Sequence, residues 1–398
     1  MTRVFYNGEI LSGDLYLRGG AVFTDSGRIT AISKVYPGGG GREEIDLEGR
    51  LLVPGGIDLH VHGGAGADFM DGTEEAFRTV CRAHARHGTT ALLATTTVAR
   101  HDQHLKFLQV CRSLHEKPTG GAMIAGAHFY GPYFGEQARG CHPAEALRPP
   151  VEAEYRAYLD FADIIRTATV APELPGAEAF VRACLAKGIR CNAGHSHATF
   201  DQIAEAVRYG IRHVDHLFCA MSDRARLRQT QTYPMRGGLM EATLFFDELT
   251  TEVIADGKHL APELLRLALK IKGAKRLALV TDANRALDMP DGEYLFGSLD
   301  GGEPIRRVDD VGLTLDGLAL ASGVLGMDTG VRKMMETTAC SRLDAIRMAS
   351  LTPARIAGLD ADRGSIEIGK RADFVVLDWS DRVKEVYIGG ERVFPEAI

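Results

Sequence analysis

The sequence predicts a closed (β/α)8 barrel joined to a second, small β-sandwich domain built from both termini. Three observations carry that prediction. Both ends of the chain read as short strands and tight turns, whereas the middle alternates short apolar runs with amphipathic stretches. About eight such runs can be counted, the number a closed parallel barrel needs. Several histidines and one aspartate then fall at the ends of those runs, where barrels of this kind keep their chemistry. The expected division places residues 1–53 and 365–398 in the small domain and 54–364 in the barrel.

In chain order, Val4-Phe5-Tyr6 runs into an Asn7-Gly8 turn. Asp14 to Arg18 alternates before Gly19-Gly20, and Ile29 to Ile32 follows a further glycine. The C-terminus has the same texture at Ser365–Ile368, Asp373–Leu377 and Val386–Ile388. Neither end holds enough strands to bury a core alone, so the two are expected to share one. In the middle, Leu51–Val53 reads as the first barrel run and Thr73–His87 as a helix. The further runs are Ala91–Ala94, Ala122–Ala125, Thr167–Val170, Ile189–Asn192, Ile211–Val214, Glu252–Ala255 and Leu277–Val280. Thr199-Phe200-Asp201-Gln202 is a capping-box pattern that opens one intervening helix. Met327 to Met335 reads as a late helix whose methionines fill core. An open doubly wound sheet would favour a glycine fingerprint after its first strand, and Gly63-Gly64-Ala65-Gly66 lacks that spacing.

Composition narrows the function. The 53 acidic residues outnumber the 46 basic ones, a net charge of −7, which disfavours a general nucleic-acid or membrane surface. No apolar run reaches the roughly 18 residues needed to cross a bilayer. The seven cysteines include no C-x-x-C pair, which points to a reducing compartment. The expectation is a cytoplasmic enzyme with a small-molecule substrate.

The chemistry gathers at the run ends. Asp58-Leu59-His60-Val61-His62 follows the first run, and the period of two along a strand sends His60 and His62 to one side. His195 closes the fifth run, His216 the sixth and Asp282 the eighth. Four imidazoles and one carboxylate converging on one face suit zinc or a similar divalent ion.

These residues carry a resemblance to the amidohydrolase superfamily, and within it to the N-acetylglucosamine-6-phosphate deacetylase branch. It spans nearly the whole chain: Pro54 to Gly63, Ala193-Gly194-His195-Ser196, His216-Leu217-Phe218, Ala255 to His259, Thr281-Asp282-Ala283 and Gly364 to Phe374. The resemblance implies that His60, His62, His195 and His216 ligate metal and that Asp282 is the catalytic acid/base. It implies hydrolysis of an amide by a water that the ion activates, with Asp282 relaying the proton. His142 matches a loop histidine near the acyl carbonyl, and His259 a substrate-binding histidine. The resemblance also implies a homodimer, with His259 serving a neighbouring subunit's site.

The chain also departs from the family. At the third strand the family has His-Leu-Glu-Gly-Pro, and its glutamate binds metal; here His128-Phe129-Tyr130-Gly131-Pro132 stands instead. A phenol with an ordinary pKa near 10 is neutral at pH 7 and bridges two ions poorly. Two arrangements follow. In one, a single ion is held by His60, His62, His195 and Asp282 while His216 orients the water. Otherwise a metal sits near His195 and His216 with a rescuing carboxylate, Glu173 or Asp215. The first is preferred because all its ligands are present, giving one ion per chain, zinc by preference. After His216-Leu217-Phe218 the family has asparagine; here Cys219-Ala220 follows, bordering the expected substrate with Tyr130 and His142. The loop from Ser222 to Gly238 carries Arg224, Arg226, Arg228 and Arg236, and Arg236 best matches the family's phosphate-contacting arginine. The leading function is removal of an acyl group from an N-acylated, phosphorylated amino sugar. The alternatives are a one-metal deaminase or cyclic-amide hydrolase, and a degenerate binding protein on the same scaffold.

Overall fold

The computed structural model describes every residue except 1, 14, 37, 40, 230–233 and 396–398; Asp14 of the expected second strand lies outside the described residues. Eight parallel strands follow one another in space in chain order. They are β1 (Gly56–Val61), β2 (Thr89–Thr95), β3 (Met123–Tyr130), β4 (Ile165–Val170), β5 (Arg190–Ala193), β6 (His213–Val214), β7 (Thr250–Ile254) and β8 (Leu277–Val280). The ring closes just beyond β8. The Asp282 N–H donates to His60 O at 2.9 Å, and the His62 N–H donates to Ala283 O at 2.9 Å.

Helices pack outside the ring, and local chemistry sets their ends. The helix Glu74–Arg86 starts where Thr73 accepts the Ala76 N–H, and Phe200–Tyr209 starts at the expected Thr199 box. The main core lies between strands and helices, where Phe77, Phe107, Phe180, Ile203 and Leu265 are fully buried against Leu92, Ile124 and Val253. A late helix runs Met327–Thr338, burying Met327 and Met334. Among the described residues no helix is long and apolar enough to cross a membrane.

The termini join in one eight-stranded mixed sheet, with five strands between Arg3 and Pro54 and three between Phe374 and Phe394. Phe5 from the N-terminal part meets Phe374 and Tyr387 from the C-terminal part edge-on, with ring centroids 5.1 and 4.8 Å apart. Two expectations are corrected here. The run Leu51–Val53 belongs to this sheet, paired with the strands Arg3–Ser12 and Phe374–Leu377, and β1 begins only at Gly56. The chain crosses between the sheets at Gly55, where a Cβ would lie 2.0 Å from Thr90 Oγ1. Ser365–Ile368 forms no strand; its Ile366 N–H is tied to Ser12 Oγ at 2.6 Å. A three-stranded antiparallel sheet, Gly292–Phe296, Glu303–Val308 and Val311–Thr314, follows β8 and was not anticipated. It places Phe296 over the barrel mouth.

Candidate active site at the barrel mouth

Successive even positions on β1 and just beyond it send His60 and His62 toward the segment after β8. His62 Nε2 lies 3.2 Å from Asp282 Oδ1, and His60 Nε2 lies 3.6 Å from the same oxygen. Ligand atoms of these three residues all lie within 4.8 Å of one another, and all three are buried. Ser322 Oγ donates to Asp282 Oδ1 at 2.8 Å and fixes the carboxylate. Burial would raise the Asp282 pKa, but His60, His62 and His216 prevail and hold it far below the carboxylate range. Burial lowers His60, yet Asp282 and Glu252 lift it to about 9. The field that favours a proton there also favours a metal cation, since the two compete for one nitrogen lone pair.

His195 and His216 form a second group beside the first. Their Nε2 atoms face each other at 3.2 Å, and Tyr130 Oη reaches His216 Nε2 at 2.6 Å. His195 Nδ1 meets the Ala138 carbonyl at 2.7 Å. A carbonyl only accepts, so Nδ1 carries the proton and Nε2 presents a lone pair. Burial pushes His216 down to about 4, keeping it neutral, and raises Tyr130 well above 10. His195 is thus not a member of the His60–His62–Asp282 group, where the one-ion arrangement read from the sequence puts it. The carboxylates expected to rescue a second site are engaged elsewhere. Glu173 accepts from Ser196 Oγ and the His197 N–H, and Asp215 accepts from Thr169 Oγ1 and Asn192 Nδ2.

A cavity of about 400 Å³ opens over these groups, the size of a small-ligand site. His62, Tyr130, His142, His195, His216, Cys219, Ala220, His259 and Asp282 all border it, as the sequence expects. His142 Nδ1 accepts the Val98 N–H at 3.3 Å, so its neutral ring keeps a proton on Nε2. His259 Nδ1 lies 2.7 Å from Asp256 Oδ2; burial opposes its charge, and Asp256 outweighs burial to raise its pKa. Burial pushes the Cys219 thiol up to about 12, which leaves it an uncharged wall.

Arg236 does not border the cavity. Its guanidinium pairs with Asp201 of the helix Phe200–Tyr209 at 2.8 Å, while Arg226 of the same loop does border it. Arg226 donates to the Met221 carbonyl at 3.3 Å and makes no ion pair among the described residues. Sequence reasoning also missed Glu252, whose Oε1 meets His60 Nδ1 at 2.7 Å. Its signal was a lone charge inside the strand Thr250–Ile254.

The residues present fit a divalent cation. The His60 Nε2 atom is buried with no hydrogen-bond partner, and the donor set of imidazoles plus one carboxylate suits zinc chemistry. Comparison with known proteins gives the family. The amidohydrolase family matches residues 51–393. An N-acetylglucosamine-6-phosphate deacetylase of Vibrio furnissii is 32% identical over 393 residues, covering 98% of this chain and 94% of the relative. An N-acetylgalactosamine-6-phosphate deacetylase of Escherichia coli O157:H7 is 34% identical over 351 residues, covering 87% and 88%. The crystal structure of the Pasteurella multocida N-acetylglucosamine-6-phosphate deacetylase superposes with a TM-score of 0.90 at 27% identity, covering 98% of this chain and 99% of that one. A Mycobacterium smegmatis mutant enzyme in complex with N-acetyl-D-glucosamine-6-phosphate gives 0.87 at 29%, covering 99% of each. On its sequence, its fold and the residues at its barrel mouth, the chain belongs to the amidohydrolase family.

Proposed function

We propose that this chain removes the acetyl group from a phosphorylated N-acetylated amino sugar, such as N-acetylglucosamine 6-phosphate or its galactosamine isomer. The observation that carries the reading is the Asp282 carboxylate facing His60 and His62 in a cavity whose wall also holds His142, His259 and Arg226. The deacetylases among its relatives support it.

One zinc ion would be held by His60, His62 and Asp282. When bound it supplies Lewis acidity that polarises oxygen. The chain's own residues do the rest. Asp282, ionised and steadied by Ser322, takes a proton from water. Hydrolysis forms a C–O bond at the acyl carbon and breaks the amide C–N bond, and Asp282 returns the proton to the departing nitrogen. The His142 Nε2–H donates to the acyl oxygen as negative charge builds there. His259 and Arg226 bind the anionic substituent, with the guanidinium fork suited to phosphate oxygens.

The test is product analysis with purified chain loaded with zinc. Acetate release from the phosphorylated substrate is expected, and Asp282→Asn should lower kcat about 10³-fold, within the range of general acid–base catalysis. A loss under tenfold would overturn the role of Asp282. Tyr130, which leaves the site short of one carboxylate, favours a second reading as a one-metal deaminase; released ammonia in place of acetate identifies it.

A further inference from the structure

We propose that Glu252 is the carboxylate that completes the metal site, fixing His60 from behind and supplying the negative charge that the family resemblance places where Tyr130 stands. The inference rests on the metal-centre reading above and assigns Glu252 as a positioning residue.

Geometry comes first. Glu252 lies on β7 and is 1% exposed. Its Oε1 meets His60 Nδ1 at 2.7 Å and accepts the His216 backbone N–H at 3.3 Å. Its Oε2 meets His213 Nε2 at 3.2 Å, and His213 Nδ1 reaches Thr250 Oγ1 at 2.8 Å. An ionised carboxylate only accepts, so His60 must carry its proton on Nδ1. Nε2 is then the atom left for an ion, on the Asp282 side of the ring, and it is buried with no hydrogen-bond partner. One contact thereby selects the tautomer, sets the ring plane and makes the free nitrogen a better donor.

Charge comes second. A carboxylate taken wholly out of water costs several kcal/mol unless positive charge answers it. Hydrogen bonds from His60 and His213 answer it only in part, whereas a dication on the far side of the His60 ring answers it well. β3 places a phenol, Tyr130, where a carboxylate would stand, and so brings no carboxylate to the site. The other buried carboxylates nearby are taken up by neutral donors, Asp215 by Thr169 and Asn192 and Asp58 by Thr281 and the His60 backbone N–H. Asp282 and Glu252 remain as the pair that neutralises a divalent ion, one at the ion and one an imidazole away.

The experiment measures zinc affinity of the full chain by chelator competition, for the native protein and for Glu252→Gln. Glutamine has the same shape and its carbonyl can still accept from His60, so only the charge is removed. Affinity is expected to fall ~10–100-fold. In parallel, ¹⁵N-imidazole NMR of the native zinc-loaded chain, with His60 assigned through His60→Gln, is expected to place the proton on Nδ1 and leave Nε2 to the ion. That readout needs no Glu252 variant to fold. Zinc affinity of Glu252→Gln within threefold of native, or a zinc-loaded native His60 protonated on Nε2, overturns the assignment. A native chain that takes up no zinc overturns the metal-centre reading itself, and the two failures are thereby told apart.

Discussion

Replacing Tyr130 by glutamate is expected to raise the zinc capacity of the chain from one ion to two. The phenol oxygen stands 2.6 Å from His216 Nε2, which stands 3.2 Å from His195 Nε2, so three donor atoms already converge beside the His60–His62–Asp282 group. What the second group lacks is charge. Two unit charges ~4 Å apart interact by about 4 kcal/mol at an effective dielectric constant near 20, so two dications at that spacing repel by roughly 16 kcal/mol. A carboxylate between them attracts each by roughly 8 kcal/mol on the same scale, and the two attractions together offset the repulsion. A neutral phenol offsets none of it. The assay is metal content by mass spectrometry after zinc loading and desalting. Native chain and Tyr130→Phe should hold one ion, and Tyr130→Glu should hold two. Two ions in the native chain, or one in Tyr130→Glu, would refute the reasoning.

Three further outcomes are expected. Arg226→Met should raise KM for a 6-phosphorylated substrate ~10–100-fold, while leaving the unphosphorylated sugar and kcat nearly unchanged; Arg236→Met should do neither, and equal effects of Arg226→Met on both sugars would contradict the anion role. Gly323→Ala should cut activity ~100-fold with circular dichroism unchanged, because a Cβ there would sit 2.2 Å from the Thr281 carbonyl oxygen and displace the neighbouring Asp282; activity within threefold of native would show that Asp282 tolerates the shift. Burial opposes charge on His87, but Asp288 and Asp328, which it bridges at 3.0 and 2.9 Å, prevail and lift it to about 9. A pKa raised on folding stabilises fully below the unfolded value of about 6.5 and is lost as pH climbs through 9. Native stability should therefore fall by at most about 3 kcal/mol between those limits in thermal unfolding, and His87→Gln should show no such slope.

The barrel was legible because its strands are largely buried and read as apolar runs separated by amphipathic stretches, one of them opened by the Thr199 capping box. The one misplaced strand is instructive. Leu51–Val53 is more apolar than Gly56–Val61, yet the latter opens the barrel, its pattern diluted by Asp58 and His60. Function interrupts the pattern that announces structure. His195, His216 and Asp282 were legible because each stands just beyond the end of its run, and His60 and His62 because a spacing of two puts them on one side of a strand. Glu252 was not, since an isolated acid in a strand carries no spacing to another residue, and its partner His60 is 192 positions away. The choice between Arg226 and Arg236 depends on the path of one loop, which residue type alone cannot supply. The meander after β8 was missed because Gly292–Phe296 and Glu303–Val308 are half-exposed and carry little hydrophobic signal.

The backbone at the barrel mouth explains why so polar a site stays ordered. His195, Phe218, Ala220, Asp282 and Ser322 have φ of 44°, 76°, 47°, 47° and 65°, and all five border the cavity. Each such conformation costs a non-glycine residue ~1–3 kcal/mol and persists only where its surroundings over-determine it. Elsewhere in the chain these values fall mostly on Asn, Asp and Ser, as at Asn7 and Asp309, whose side chains tolerate the left-handed region. At the mouth the purpose differs. A residue left extended after β8 would carry the chain on along the strand direction, whereas the left-handed turn at Asp282 folds its carboxylate back toward His60 and His62. The turn is held by the Asp282 N–H to His60 O, the Gly323 N–H to Asp282 O and the Ser322 hydroxyl. The first of these is also one of the bonds that close the ring between β8 and β1. Closing the barrel and aiming the acid/base are therefore one event, and strain at Asp282 can be released only by opening the seam that holds the whole ring together.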